Sequence, residues 1–228
     1  MQQSIEQAGL DARFSVIPNT VDPEEFYPTG ERSWSGSGPV RLLWVGSFHP
    51  AHFENKGVID LLQALALART ELGVDAHLTL LHMELAQASC RELAQQLGVS
   101  EACTFAGAVA HASMPGWLNQ SHALVVSSRK ESFGVVLIEA LACGKPVVST
   151  RCGGPEEIVT PETGILVKAG DPRALAEGLA RLVKEYNTFD PLGIAEYAHE
   201  HYRPERVAQM LRGVYNEVCG NSAATGKA

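Results

Sequence analysis

The chain has 228 residues, is 45% hydrophobic and carries a formal charge of −8, which allows one large or two small domains with a real core. No apolar stretch approaches the roughly 20 residues that span a bilayer, nothing after Met1 reads as a signal peptide, and the acidic balance argues against a nucleic-acid or anionic-membrane footprint over the whole surface. Cys90, Cys103, Cys143, Cys152 and Cys219 lack paired spacing, so neither a disulfide framework nor a zinc site is signalled, and a cytoplasmic protein is expected.

In chain order, residues 1–34 read as a leading segment and linker, with a polar run over 29–39. Residues 35–190 then alternate short β-branched runs with helical periodicity. The strand candidates are Arg41–Ser47, His77–Met83, Thr104–Val109, Ala123–Ser128, Pro146–Thr150 and Gly164–Val167. Between them, Val58, Leu61, Leu62 and Leu65 mark one apolar helix face, Leu93 and Leu97 a second, and Leu175, Leu179 and Leu182 a third. Asp171-Pro172 is a helix opening, with Asp as cap and Pro at the first helical position. Residues 191–218 read as two further helices, and 219–228 as a small, polar, unstructured tail.

Continuous apolar strands such as Leu124-Val-Val suit a parallel sheet covered on both faces. The pattern predicts an α/β fold with a doubly wound parallel sheet followed by C-terminal helices. Such sheets bind ligands at the carboxyl ends of their strands, where Gly46, Met83, Val109, Ser128 and Thr150 should cluster.

The run Glu131-Ser-Phe-Gly-Val-Val-Leu-Ile-Glu139 carries the chemistry. Gly134 marks a loop-to-helix junction, and a helix start presents unpaired N–H groups and the positive end of the dipole to a phosphate. Glu139 sits among apolar neighbours, where a charge is costly unless it reaches a cleft or a hydrogen-bonding ligand. A lone Glu of this kind is ordinarily a solvated side chain. Two carboxylates flanking a phosphate-ready helix start favour a ligand with hydroxyls and phosphates.

These residues resemble the C-terminal half of a GT-B glycosyltransferase of the family-four retaining group, whose hallmark is an acidic pair spaced as Glu131 and Glu139. The likeness extends through Glu139-Ala-Leu-Ala-Cys-Gly-Lys-Pro-Val-Val-Ser-Thr, Gly153-Gly-Pro-Glu-Glu157-Ile-Val, Thr163-Gly-Ile-Leu-Val and Gly170-Asp-Pro. Upstream, Val16-Ile-Pro-Asn-Thr-Val-Asp-Pro-Glu-Glu-Phe is similar to the segment that enters this half from the other domain. The match runs from about residue 14 to 218.

The resemblance implies a Rossmann-like, nucleotide-sugar-binding domain. Glu131 would contact donor-sugar hydroxyls, and Lys56 would neutralise the departing phosphate, the two catalytic assignments. Ser47, Ser132 and backbone near Phe133, Gly134 and Val135 would bind substrate around the diphosphate. Glu139 would hold the ribose, and backbone at Val109 would line the base pocket. No protein nucleophile, cofactor or metal is expected. The donor would be UDP- or GDP-linked in preference to ADP-linked, and the partner a glycosyltransferase N-terminal domain in cis or in trans, without which this half would be inactive.

Three departures stand out. Gly46-Ser47-Phe48 replaces the family's Gly-Arg-Leu, removing one phosphate cation, and the loop to Lys56 carries about four extra residues, Pro50-Ala-His-Phe-Glu among them. Leu81-His-Met-Glu-Leu replaces a Gly-x-Gly-Pro turn, and the N-terminal domain has no counterpart in this sequence. The rival reading is a non-catalytic nucleotide-sugar-binding module. An epimerase or phosphorylase lacks assignable acid/base or cofactor-lysine residues. His49 and His52 have metal-like spacing but no third ligand, and His199 and His201 read as exposed. Val207, Leu211 and Val214 of the last helix share a face expected to be exposed.

Overall fold

A computed structural model describes residues 15–29, 34–46, 54–81 and 87–224 of the chain. Its six strands are β1 (Val40–Val45), β2 (Ala76–Leu81), β3 (Cys103–Gly107), β4 (Ala123–Val126), β5 (Val147–Arg151) and β6 (Gly164–Lys168). All pair in parallel, in the order β3-β2-β1-β4-β5-β6. Each strand candidate has its counterpart, and the α/β doubly wound expectation holds.

The helices are α1 (Val58–Glu71), α2 (Gln87–Gln96), α3 (Met114–Gln120), α4 (Val135–Ala142), α5 (Pro155–Ile158), α6 (Pro172–Glu185), α7 (Pro191–Tyr202) and α8 (Pro204–Ala224). α1 packs on α2 and α6, while α4 packs on α3 and α7, so the sheet lies between two helical layers. This sandwiching explains the unbroken apolar strands: all four residues of β4 are buried, as are Val147 to Thr150 of β5. The caps follow the sequence, since Asp171 accepts from the Ala174 N–H at 3.1 Å and Asp190 from the Leu192 N–H at 3.1 Å.

Two elements escaped the periodicity reading. α3 begins Met-Pro-Gly, a poor helix former, and α5 is a single turn. At the C-terminal end, α8 continues through Ala224, past Cys219 where the polar tail was expected to begin. Its exposed apolar face is also displaced from the expected one: Val207 is buried and Val214 half-buried, whereas Leu211 and Tyr215 are exposed.

The leading segment is part of the packed structure from Val21 on. Val21 and Phe26 are buried, the Val21 N–H donates to the Tyr202 carbonyl at 2.9 Å, and the Thr29 N–H donates to Asn119 Oδ1 at 3.2 Å. Within the polar run, Trp34 sets its ring edge-on to Tyr186 with centroids 5.9 Å apart.

From β1 the chain winds outward to β3, then crosses back to β4 and winds the other way. The order reverses between β1 and β4, and the crevice outside their carboxyl ends is where this topology leaves room for a ligand.

Candidate functional site

The loop after β4 and the loop after β1 are fastened together at that crevice. Trp44 Nε1 donates to Ser127 Oγ at 3.0 Å, and Ser127 Oγ donates to the Lys56 carbonyl at 2.8 Å. The Arg129 N–H donates to the Asn55 carbonyl at 2.6 Å, and the Arg129 guanidinium grips Asp60 of α1 through two 3.0 Å bonds. Gly57 makes this approach possible. Its φ is +63°, and a Cβ there would lie 2.0 Å from the Ser127 carbonyl oxygen. The effect is to set the Lys56 ammonium over the start of α4.

Glu131 is held from the opposite side. Its N–H donates to the Cys152 carbonyl at 3.0 Å, and its carbonyl accepts from the Gly154 N–H at 2.8 Å, an isolated parallel bridge beyond the end of β5. Gly154 packs so closely that a Cβ would stand 2.4 Å from the Phe133 Cα and carbonyl oxygen. The Gly153-Gly154 turn is therefore a backbone clamp for the 131–133 loop. Lys56 Nζ lies 2.9 Å from Glu131 Oε2, with side chains 25% and 17% exposed. Each is the other's counter-ion when no ligand is present.

Glu139 stands one turn into α4, 7% exposed at its side chain, with Ile138, Ala140 and Leu141 buried around it. Burial raises its pKa; a hydrogen bond from His111, at 2.9 Å from Nε2 to Oε1, and the charge of the His111 ring oppose that rise. His111 follows β3 in a 3-10 turn, His111–Ser113.

Lys56, Glu131, Gly134, Val135 and Glu139 converge on one cavity of about 380 Å³, completed by Val45, Gly46, His111, Met114 and Val136. The open N–H groups at the start of α4 face the same region as the ammonium, which makes it a place for an anion bearing hydroxyls. A larger cavity of about 490 Å³ lies at the amino end of β1, lined by Glu25, Tyr27, Arg41 and Asn119 among others. It is remote from this chemistry, and Asn119 is already committed to Tyr27, Thr29 and Pro115.

Of the remaining sequence candidates, Ser132, Phe133 and Val109 do not line the 380 Å³ cavity. Phe133 instead sets its ring edge-on to Tyr202, 6.0 Å between centroids. Ser47, His49, His52 and Met83 lie outside the described residues, as does the turn at 82–85. His199 is half-buried rather than exposed, Nε2 bonding the Phe26 carbonyl at 3.0 Å; His201 is exposed. Glu156 pairs with Arg151 at 3.6 Å and takes no part in the site. Ser128, at the end of β4, has a buried hydroxyl without a hydrogen-bond partner. Among the described residues no group of three His, Cys, Asp or Glu side chains could hold a metal ion, and no helix is long and apolar enough to cross a membrane.

Of the cavity-lining residues that sequence reasoning missed, Val45, Met114, Val136 and His111, only His111 is titratable. The available signal was its place just past the end of β3, at the carboxyl edge of the sheet.

Residues 39–185 match the family model described as "Glycosyl transferases group 1". The chain is 33% identical over 180 residues to the N-acetyl-alpha-D-glucosaminyl L-malate synthase of Bacillus anthracis, covering 78% of this chain and 45% of that protein. It is 36% identical over 225 residues to the D-inositol 3-phosphate glycosyltransferase of Corynebacterium jeikeium (strain K411), covering 89% and 51%. Among solved structures, the Anabaena HepE protein in complex with UDP-glucose superposes with a TM-score of 0.76 at 20% identity, covering 96% of this chain and 61% of that one. The chain spans about half the length of the curated relatives it matches.

Proposed function

Since the chain belongs to the glycosyl transferases group 1 family, we propose that it is the donor-binding half of a retaining glycosyltransferase, moving a sugar from a nucleoside diphosphate to an acceptor hydroxyl. The observation that carries this reading is the convergence of Lys56, Glu131, Glu139 and the start of α4 on one cavity at the reversal of the sheet. Glu139 accepts the ribose hydroxyls, the N–H groups of α4 and the Lys56 ammonium take the diphosphate, and Glu131 accepts from the sugar. The HepE structure, captured with UDP-glucose, supports a nucleotide-sugar in this fold; the family resemblance implies a UDP- or GDP-linked one.

As the glycosidic bond breaks, negative charge collects on the leaving phosphate. Lys56 and the helix start are fixed beforehand where that charge grows, which lowers the barrier without reorganisation. In this reading the diphosphate is neutralised by protein groups rather than by a metal. The leaving phosphate assists the acceptor on the same face of the sugar, so configuration is kept and no side chain need attack. The acceptor wall belongs to a further glycosyltransferase domain, in cis or in trans. Free cysteines suit a cytoplasmic enzyme of glycan biosynthesis.

A non-catalytic nucleotide-sugar module is the second reading, favoured by Ser47 standing where the family pattern this chain resembles would have an Arg. Calorimetric titration with UDP, GDP, ADP and their sugar conjugates, repeated on Glu139→Ala, tests the donor site. Binding of one nucleotide series, lost in the variant, is expected; equal binding by both proteins would overturn it. Donor turnover after adding an N-terminal half separates enzyme from module.

A further inference from the structure

We propose that His111 is a positioning residue for the nucleotide: it pins one oxygen of the Glu139 carboxylate and keeps that group charged, so the ribose meets a preset acceptor. The inference rests on Glu139 being the ribose carboxylate.

Glu139 is surrounded by buried Ile138, Ala140 and Leu141 and is itself 7% exposed at the side chain. An isolated carboxylate in such surroundings tends to take up a proton. Once protonated it would offer a donor where the ribose also brings donors, and its acceptor capacity would fall. His111 supplies the opposing interaction. Nε2 donates to Oε1 at 2.9 Å both in the neutral Nε2–H tautomer and in the cation, so the bond does not depend on which is present. A carboxylate has about four lone-pair sites, so one taken by His111 leaves room for both ribose hydroxyls.

The ring is not a core histidine. Its side chain is 68% exposed, which would be wasted on packing. What steadies it is Phe26, whose buried ring lies 5.8 Å away at an interplanar angle of 59°, and whose carbonyl is in turn held by His199 of α7. The imidazole therefore joins the leading segment to the carboxylate of α4.

Lys56 and Glu131 line the same cavity as His111 and pair with each other at 2.9 Å. α4 contributes Glu139 alone, and α3 contributes Met114 to the same cavity and no charged residue at all. Asp22, Glu24 and Glu25 of the leading segment make no ion pair with His111. A change at His111 therefore reads out first on Glu139, its ion-pair partner, while Lys56 and Glu131 pair with each other.

The test compares the 228-residue chain with His111→Phe, which keeps a ring against Phe26 but loses the donor, and His111→Gln, which keeps a donor. His111→Ser serves in the same role should His111→Phe fold poorly. The Glu139 carboxyl is titrated by 13C NMR on glutamate-labelled protein, and nucleoside diphosphate binding is measured by calorimetry across pH. In His111→Phe the Glu139 midpoint should move to higher pH, the acid limb of binding should move with it, and Kd at neutral pH should rise about tenfold or more, the usual worth of a hydrogen bond to a charged group. His111→Gln should stay within about threefold of the parent. An unchanged Glu139 midpoint in His111→Phe overturns the inference whether or not the isolated chain binds nucleotide. Equal binding by Glu139→Ala and the parent would instead defeat the donor-site reading. Binding lost in Glu139→Ala yet unaltered in His111→Phe would defeat the role of His111 alone.

Discussion

Lys56 and Glu131 are 75 residues apart in sequence and 2.9 Å apart in space, the cation at the end of one clamped loop and the carboxylate at the end of another. Neither belongs to a strand or an α-helix of the sheet. Both are delivered to the crevice by backbone contacts that only glycine permits, Gly57 against Ser127 on one side and Gly154 against Phe133 on the other.

Lys56→Met should separate binding from stability. The pair is partly exposed, and such ion pairs contribute about 0–1 kcal/mol, so the melting temperature should shift little. Affinity for a nucleoside diphosphate should fall by roughly tenfold or more, a charge-assisted contact to phosphate being lost, while affinity for the bare nucleoside holds. Calorimetry on both ligands reads this, and equal losses would remove Lys56 from the phosphate.

Gly57→Ala and Gly73→Ala form a matched pair. Both glycines have positive φ, +63° and +67°, but a Cβ at position 57 collides with the Ser127 carbonyl while one at 73 meets nothing within 4 Å. Urea unfolding should show a loss of about 1 kcal/mol at position 73 and about 2 kcal/mol or more at 57, where the clash adds to backbone strain. Similar losses at the two positions would mean that the approach to β4 is not a constraint.

Glu139 should cost stability at neutral pH. Its pKa is raised by burial, with His111 opposing, so the folded state holds this proton more tightly than the unfolded chain does. That contribution is fully present below the ordinary glutamate range and is lost as pH rises through the folded pKa. Glu139→Gln should therefore melt higher than the parent at pH 7, and the difference should shrink as pH falls below the glutamate range. It should also weaken nucleotide binding. A variant melting below the parent at neutral pH would contradict the sign.

The thiols should divide sharply. Burial pushes Cys143 up to about 12 and Cys90 and Cys103 up to about 11, and also raises Cys152, whereas Cys219 is exposed. Only thiolates react, so a maleimide at pH 8 should label Cys219 within minutes and the others only after unfolding. Mass spectrometry of the partly labelled chain checks this, and early modification of Cys143 would show that α4 opens readily.

The strands and the long helices were legible because burial on both faces, or on one stripe, writes itself into the order of apolar residues. Leu124-Val-Val and the Leu175, Leu179, Leu182 series are such cases, and the cap at Asp171 is equally local. Lys56, Glu131, Gly134, Val135 and Glu139 were legible as a group through their spacing and their resemblance to a family pattern. His111 was not, because nothing beside it in sequence signals that the turn after β3 faces the middle of α4. α3 was missed because Pro115 and Gly116 hide a helix that tertiary packing sustains. Val109 was assigned to a ligand wall by analogy, and the 380 Å³ cavity is built without it. The grip of Gly154 on Phe133 depends on a crossing between loops that no local pattern records.

Among the described residues, the bonds that fix Lys56 come from the loop after β4 and through the close approach of Gly57. The cation is thus moored across the point where the strand order reverses. A change that shifts the loop after β4 should therefore carry the ammonium with it.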